Sequence, residues 1–350
     1  MSKAAELAAL IGGQKALGDK NFIINGDMQC WQRATAATTV TNAYATVDRY
    51  KFTEATSGAF SSERATDYPT GTGYSLKLQV TTADTSMASG DYAYVMQPIE
   101  AQNLQSLGYG TSSAKTLTLS FWVKSSKTGT YTITLAKPDN TGYNFLHEYA
   151  ISSANTWEKK SITISPTAGS TSFITSAAGA INNDNGHGLY VFWMLCSGTD
   201  LNGGTNNSWS TNTLHYTTTN QVNWMDSTSN NFYLSQAQLE IGEVATPFQH
   251  ESFGTTLAKC QRYYDQSSVS TGSGPWYLKV SQLGDTYGRA NIDFQVRMRT
   301  SPTVTVVNNN TSYTSSGVQL LSPHMASPYI NSMSSGAYNH LDSWTADAEL

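Results

Sequence analysis

Two short stretches begin like the helix of a zinc protease: HEYAI at His147 and HESFG at His250. In that motif a second histidine follows the first by four residues, so that both imidazoles bind one Zn²⁺ and the glutamate acts as the base. Neither stretch has the second histidine, because Ile151 and Gly254 occupy those positions. We therefore expect no metal-dependent catalysis and no cofactor.

Other catalytic motifs are also incomplete. The chain has no Gly-x-Ser-x-Gly elbow for an esterase nucleophile, and GTGYSL at Gly71 lacks the third glycine of a phosphate-binding loop. Glycoside hydrolysis needs two carboxylates roughly 5 to 10 Å apart. Candidate acids for it are Glu54, Glu63, Asp67, Asp84, Asp91 and Glu148. One sequence does not pair them, so a polysaccharide depolymerase stays an alternative to a non-enzymatic protein.

The stretch NNDNGHG, residues 182–188, has two interpretations. Asp184 and neighbouring carbonyls are ligand types that Ca²⁺ prefers. We favour an Asx-rich turn, because these residues form turns without any ion. The predicted site therefore includes no metal ligand.

Aromatic side chains in polar segments are the other candidates for chemistry. Sugars present apolar C–H faces and hydroxyls, which aromatic rings and Asn, Ser or Thr side chains can bind. The candidate glycan-binding residues are Trp209, Tyr216, Trp224, Trp276, Tyr329 and Trp344. The first three lie in a long polar segment between Cys196 and Asn231, which is typical of a functional or disordered loop. The alternative for each ring is packing under a loop or at a subunit interface.

Composition indicates the elements that must position these residues. The 350-residue chain is 13% charged and 11% aromatic, with 20 Tyr and 8 Trp, and it is rich in Ser, Thr, Asn and Gly. Thr, Tyr and Val favour strands, and the charged residues of exposed helices are scarce. A net charge of −5 without a Lys/Arg cluster argues against a nucleic-acid partner. The chain has no run of eighteen apolar residues, so we expect no membrane insertion.

The cysteines and the first twenty residues indicate a protein folded in the cytoplasm. Cys30, Cys196 and Cys260 are far apart and odd in number, which fits neither a disulfide framework nor a zinc site. We expect free, mostly buried thiols in a reducing compartment. The stretch MSKAAELAALIGGQKALGDK has no continuous apolar core and no clear cleavage site, so we expect no secretory signal.

Alternating apolar residues predict strand after strand from Asn21 to about Phe248. The pattern is clear in TLTLSFWVKSS (116–126), TYTITLAKP (130–138) and KKSITISP (159–166). GLYVFWMLCSG (188–198) is apolar on both faces, which predicts a strand covered on both sides. NNFYLSQAQLEIG (230–242) changes phase by one residue, which predicts a β-bulge.

These patterns predict an all-β fold with a short N-terminal helix, a jelly-roll β-sandwich domain, a short helical connector and a C-terminal β-sandwich domain. The predicted boundaries are 1–20 for the helical docking segment, 21–248 for the sandwich, 249–274 for the connector and 275–350 for the C-terminal β domain. In the first segment Leu7, Leu10 and Ile11 form an apolar stripe that we expect to dock on a partner surface. Thr255 is expected to cap the connector helix.

Three stretches together resemble a recurring architecture of phage tail-fibre and related virion proteins. They are NFIINGDMQCWQR (21–33), VDRYKF (47–52) and QLEIGEVATPFQHESFGTTLAKCQRYY (238–264). The resemblance covers roughly Asn21 to Tyr264, and FQVRMRTSPTVTV (294–306) is similar to the modules that follow in those proteins. The chain departs from the common pattern at Tyr50, where Trp is usual, and at Gln249, where an acid is usual. The resemblance implies a sandwich similar to carbohydrate-binding modules.

The resemblance also implies a function. We expect a structural virion protein, made in the host cytoplasm, that is most simply a tail fibre attached by its N-terminus and in contact with host surface glycan. Its partners would be other tail or virion proteins, and such fibres are commonly homotrimers. The alternatives are a capsid decoration or head fibre and, in a different class, the depolymerase.

The stretch Asn21–Arg33 carries a structural prediction of its own. We expect the first strand of the sandwich here, with Phe22 and Ile24 on its apolar face and Trp31 as a large buried side chain. Arg33 and Arg49 are expected to pair with Asp27, Asp48 or Glu240. A first strand beside the last one would close the sandwich.

Overall fold

The computed structural model describes residues 21–40, 42–267, 278–279, 281–282, 287–307, 315–331, 340–341 and 343–350. Within these residues two six-stranded antiparallel sheets pack into a sandwich, and smaller sheets follow. The structure confirms the predicted all-β sandwich fold. The predicted N-terminal docking segment, with Leu7, Leu10 and Ile11, lies outside the described residues.

The sandwich occupies the first two thirds of the described chain. Its strands are β1 (Ala36–Ala37), β2 (Lys51–Ala55), β3 (Ala59–Ala65), β4 (Ser75–Thr82), β5 (Tyr92–Glu100), β6 (Leu117–Ser125), β7 (Gly129–Lys137), β8 (Tyr143–Ile151), β9 (Glu158–Ile164), β10 (His187–Ser197), β11 (Ser208–Ser210) and β12 (Asn231–Ile241). Short 3₁₀ segments occupy Ala101–Leu107, Ala168–Ser170, Ala177–Gly179 and Trp224–Asp226. Sheet I has the order β1-β3-β4-β12-β6-β9, and sheet II has the order β11-β8-β7-β10-β5-β2.

The core lies between the two sheets, as the alternating pattern predicts. The inward residues of β6 are Leu117, Leu119, Phe121 and Val123, and those of β10 are Leu189, Val191, Trp193 and Leu195; all eight are fully buried. Phe121 meets Trp193 edge to face, with ring centroids 6.0 Å apart. Each such side chain contributes about 1.5 to 3 kcal/mol by burial, so the strands are held chiefly by this layer.

The predicted β-bulge lies in β12. Its register against β6 shifts between Ser235 and Gln238, and Gln236 has a φ of 49°. Leu234 and Leu239 are both fully buried although they are five residues apart in the chain. The bulge therefore restores the apolar residues of the second half of β12 to the core face.

The stretch Asn21–Arg33 closes the sandwich without being a strand, so that prediction is corrected. Ile23 is the buried residue rather than Phe22 and Ile24, because a turn replaces strand alternation. The segment nevertheless lies beside β12: Phe22 N donates to Leu239 O over 2.9 Å, and Ala237 N donates to Gly26 O over 2.9 Å. The expected adjacency of the first and last segments is confirmed, and Trp31 is only partly buried.

A connector helix follows the sandwich. Helix α1 spans Phe253–Gln261, and its cap is Ser252, whose Oγ accepts from Thr255 N over 3.2 Å. The expected cap at Thr255 is therefore wrong by one turn, because Ser252 already satisfies the free N–H groups of the first turn. Cys260 on α1 is buried and free, as are Cys30 and Cys196, which confirms that prediction.

The remaining described strands form a smaller β unit. They are β13 (Tyr264–Gln266), β14 (Leu278–Lys279), β15 (Ser281–Gln282), β16 (Tyr287–Arg289), β17 (Ile292–Asp293), β18 (Thr303–Val307), β19 (Ser315–Leu321), β20 (Met325–Asn331), β21 (His340–Leu341) and β22 (Ser343–Asp347). Their pairings are β13-β22-β18, β14-β21 and β15-β16-β20-β17, with β19 also on β20. Strand β13 lies in the predicted connector range yet belongs to this unit. The numerical boundaries stay predictions.

The end of this unit returns to the sandwich at a cluster that we name the arginine junction, formed by Arg33, Arg49, Arg299 and Glu349. Arg49 forms an ion pair with Glu349, and its guanidinium lies 3.4 Å from the centre of the Tyr263 ring. Arg33 Nη1 is 3.4 Å from Glu349 Oε1, and Arg299 Nη2 donates to Glu349 O over 2.9 Å. The junction therefore ties the sandwich, the connector and the last strand together.

The junction settles the expected arginine partners. Arg33 does contact Asp48, at 3.7 Å, so that pairing is confirmed. Asp27 and Glu240 are not partners: Asp27 accepts from Gln29, and Glu240 accepts from Thr246. These two expectations are wrong because each carboxylate is satisfied by a residue close to it in sequence.

Candidate functional site

The outer face of sheet II carries an aromatic surface. Because side chains alternate along a strand, the residues of β5 and β10 that do not enter the core point away from it. We name as the aromatic face Tyr92, Tyr94, Tyr190, Phe192 and Tyr216. Met96 and Met194 lie buried beneath these rings and pack with them in a cluster separate from the main core.

The rings contact one another in a continuous chain. Tyr92 and Tyr94 stack with centroids 5.7 Å apart. Tyr94 meets Phe192 edge to face at 4.9 Å. Phe192 lies 5.7 Å from both Tyr190 and Tyr216. Rings that brace one another in this way have few accessible rotamers, so a ligand that contacts them loses little further side-chain entropy.

Residues 198–223, which we name the cover loop, decide how much of sheet II is open. Val222 N donates to Thr130 O over 2.9 Å, and Asn144 Nδ2 donates to Thr213 O over 3.1 Å, so the loop lies over β7 and β8. Tyr216 is held at the inner margin of the loop, because its carbonyl accepts from Thr134 Oγ1. The half of the sheet formed by β10, β5 and β2 carries the aromatic face.

The hydroxyls of Tyr94, Tyr190 and Tyr216 stay protonated near neutral pH. Burial raises the pKa of Tyr190 to about 12 and also raises the pKa values of Tyr94 and Tyr216. Tyr94, Tyr190 and Tyr216 are each partly exposed. Each phenol therefore offers a hydrogen-bond donor and acceptor beside an apolar ring, which is the combination that a sugar ring with its hydroxyls matches.

Only one of the sequence-predicted glycan residues, Tyr216, belongs to this face. Trp209 is 2% exposed, and its Nε1 donates to Ser165 O over 2.9 Å. Trp224 is fully buried, with its ring 5.8 Å from that of Phe60. The assignment of these two tryptophans to glycan contact is corrected, because both rings fill the core beneath a polar segment.

The remaining predicted residues lie away from sheet II or outside the described residues. Trp344 is on β22 and packs against Phe294 at 6.0 Å between centroids. Tyr329 is on β20, where it is in register with Gly317 of the neighbouring strand β19. Trp276 lies outside the described residues. The structure therefore brings neither Trp344 nor Tyr329 to the aromatic face.

The candidate catalytic acids are engaged in local structural bonds. Glu63 pairs with Lys77 at 2.6 Å, and Asp67 pairs with Lys124. The others contact close neighbours in the fold: Glu54 with Thr56, Asp84 with Ser57 and Ser86, Asp91 with Ala88, and Glu148 with Asn220. Each of these bonds stabilises the fold, and none of them needs a catalytic role to explain it.

Metal and membrane signals were also examined in the described part of the chain. Asp184 Oδ1 accepts from Gly186 N over 2.8 Å, which is the expected Asx turn. Among the described residues no three His, Cys, Asp or Glu side chains are grouped to hold a metal ion. No helix in the same part of the chain is both long and apolar enough to cross a membrane.

Comparisons with known proteins find only distant structural similarity. No protein-family model and no curated protein matches it. A tailspike protein 4 domain of bacteriophage CBA120 has a TM-score of 0.31 and 11% identity, and the match covers 64% of this chain and 22% of that one. A family 11 carbohydrate-binding module from Clostridium thermocellum has a TM-score of 0.29 and 13% identity, and the match covers 61% of this chain and 99% of that one. A proposed sugar binding protein from Bacteroides thetaiotaomicron has a TM-score of 0.33 and 13% identity, and the match covers 63% of this chain and 100% of that one. TM-scores at this level assign no function.

Apart from Tyr216, the residues of the aromatic face are not among the glycan-binding residues predicted from the sequence. Tyr92 and Tyr94 alternate with buried Ala93 and Val95, so the pattern gives one apolar face and a second aromatic one. GLYVFWMLCSG carries the same signal, with apolar residues on both faces. Coverage of β10 on both sides is the expectation there, and Phe192 and Met194 on its outer face are indeed buried, although Tyr190 is partly exposed.

Proposed function

We propose that this chain is a non-enzymatic glycan-binding protein and that the aromatic face is its binding surface. The observation that carries the proposal is the run of mutually braced rings from Tyr92 to Tyr216 on the outer face of sheet II, where the tyrosines are partly exposed around the buried Phe192. Aromatic planes contact the C–H faces of sugars, and the phenol groups exchange hydrogen bonds with sugar hydroxyls.

We further propose that the protein is a structural part of a phage virion, assembled in the host cytoplasm. The support is the set of motifs at 21–33, 47–52 and 238–264 that resembles tail-fibre and related virion proteins. In this role it is a homotrimeric tail fibre, attached to other tail proteins through residues 1–20 and in contact with host surface glycan. A capsid decoration or head fibre with the same sandwich is the rival position.

Glycan binding is tested with a labelled protein on an array of bacterial surface glycans. The variants Tyr94→Ala and Tyr190→Ala should each reduce binding about 10-fold, because each removes one ring at the centre of the face. Tyr68→Ala is the matched control: Tyr68 is 42% exposed and lies outside sheet II, so its loss should leave binding unchanged. Equal binding by all three variants would contradict the proposed surface.

The virion role and the enzymatic alternative need separate tests. Deletion of residues 1–20 should prevent incorporation into particles while the sandwich still folds, and imaging of intact particles distinguishes tail from head. Incubation of purified protein with host envelope polysaccharide should leave chain length unchanged. Shortened polysaccharide chains would establish the depolymerase instead. Incorporation of the truncated protein into particles would contradict the docking role of residues 1–20.

A further inference from the structure

One end of the aromatic face is positively charged. Lys51 points outward from β2, in register with Met96, which is itself in register with Phe192. His187 begins β10, and its ring lies 5.1 Å from that of Tyr190. Arg299 donates to the carbonyl of Asn185, two residues before His187, over 2.7 Å. We name Lys51, His187 and Arg299 the cationic end.

The charge of Lys51 is not paired within the described residues, whereas the charge of Arg299 lies near the carboxylates of Glu100 and Glu349. Lys51 is not among the lysines that form ion pairs in the described part of the chain, which are Lys77, Lys124, Lys127, Lys160 and Lys259. Arg299 donates to three backbone carbonyls, those of Asn185, Ala348 and Glu349. Carbonyls satisfy the N–H groups of a guanidinium but leave its charge in place.

The acids near this end have partners of their own: Glu100, in register with His187, pairs with Arg262, and Glu349 pairs with Arg49. Asp139 accepts from the backbone N–H of Asn182 over 3.0 Å and from its side-chain amide over 3.2 Å, so it is engaged in its own turn. Burial, followed by the charges of Arg299 and Lys51, lowers the pKa of His187, while Asp139 acts in the opposite direction. The lowered pKa leaves His187 neutral near pH 7, so the imidazole offers a carboxylate a hydrogen bond rather than a charge.

This local charge contrasts with the whole chain, whose net charge is −5. An acidic protein repels anionic polymers at long range, so an anionic ligand requires a specific cationic contact at short range. At the cationic end such a contact adjoins rings suited to sugar stacking. The combination matches a sugar acid better than a neutral sugar.

We propose that the ligand is an acidic glycan, with a sugar carboxylate held at Lys51 and His187 while neighbouring residues of the glycan stack along the aromatic face. The proposal rests on the proposed glycan-binding function and specifies its substrate class. Lys51 provides the direct charge contact. Arg299 contributes through its field and also fixes the backbone at Asn185.

The experiment compares uronate-containing oligosaccharides, each paired with its carboxyl-reduced, neutral form, by calorimetry on the full chain. The acidic member of each bound pair should bind at least 10-fold tighter, and its affinity should fall with added salt. Lys51→Met keeps most of the apolar stem but removes the charge, and it should lower the affinity for the acidic member to that for the neutral form. Lys51→Arg should restore most of it.

Lys159→Met is the matched control, because Lys159 is exposed on β9 of sheet I and its loss makes the same change in net charge. Equal affinity for acidic and neutral members, or equal effects of Lys51→Met and Lys159→Met, would overturn the substrate class. Glycan binding through the tyrosines would then still stand. Failure of every oligosaccharide and array glycan to bind would overturn both proposals.

Discussion

Removal of the Glu349 carboxylate should destabilise the arginine junction by an amount that can be worked from its contacts. Glu349 is 4% exposed at its side chain, and Arg49 is 1% exposed. Loss of one partner of a buried ion pair costs about 3 to 5 kcal/mol, because the remaining charge stays buried without compensation. Arg33 keeps Asp48 and Asp347 within reach, so the cost falls mainly on Arg49.

For Glu349→Ala we therefore expect the free energy of unfolding to fall by about 3 to 5 kcal/mol. Arg49 retains its bond to the carbonyl of Pro98, at 2.9 Å, and its position over Tyr263, and these contacts keep the loss from being larger. Glu349→Gln retains an acceptor oxygen and should lose less. Urea denaturation followed by tryptophan fluorescence measures both variants.

A double-mutant cycle separates the ion pair from other effects of the substitution. In Arg49→Met the buried charge is gone, so a further Glu349→Ala change should cost much less than it does in the wild type. A coupling free energy of about 2 kcal/mol or more is expected. If Glu349→Ala costs under about 1 kcal/mol and shows no coupling to Arg49, the junction does not hold the last strand to the sandwich.

Two further predictions concern stability. Burial raises the pKa of Asp48 from 3.8 to about 6, so the folded state binds the proton more tightly than the unfolded state does. The stability that this group contributes, about 3 kcal/mol at most, is full below pH 3.8 and is lost as the pH rises through 6. Asp48→Asn should flatten that decline in urea titrations at pH 4 to 7, and parallel stability curves for the variant and the wild type would contradict the prediction. Gly26→Ala should cost about 1 to 3 kcal/mol in the same assay, because a Cβ there would lie 2.1 Å from Ala237 O, whereas Gly73→Ala has no atom within 4 Å and should be neutral.

The sandwich could be predicted because its strands each bury one face. Alternation placed Phe121 and Trp193 in the core correctly, and the phase change in 230–242 gave the bulge at Gln236. The same rule could not place Trp209 or Trp224. Both stand in polar surroundings in the sequence, and only the tertiary path of the cover loop returns their rings to the interior.

The aromatic face could not be located from sequence for a related reason. A strand that is apolar on both sides predicts two covers but not their extent. The cover loop lies over β7 and β8 and reaches β10, where Tyr216 packs on Phe192, and its position depends on long-range bonds such as that from Val222 N to Thr130 O. Likewise, a carboxylate near the end of the chain could not be assigned to Arg49 by spacing, because the pairing joins residues 300 positions apart.

The position of the arginine junction has a mechanical consequence. Asn21, at the beginning of the described chain, lines a cavity of about 310 Å³ together with Arg262 and Tyr263, and Tyr263 lies under Arg49 at the same junction. Asn21 is also bonded to β12, because its Nδ2 donates to Ala237 O over 3.0 Å and its Oδ1 accepts from Leu239 N over 2.9 Å. Tension applied between Asn21 and Glu349 would therefore be carried by sheet I as well as by the junction.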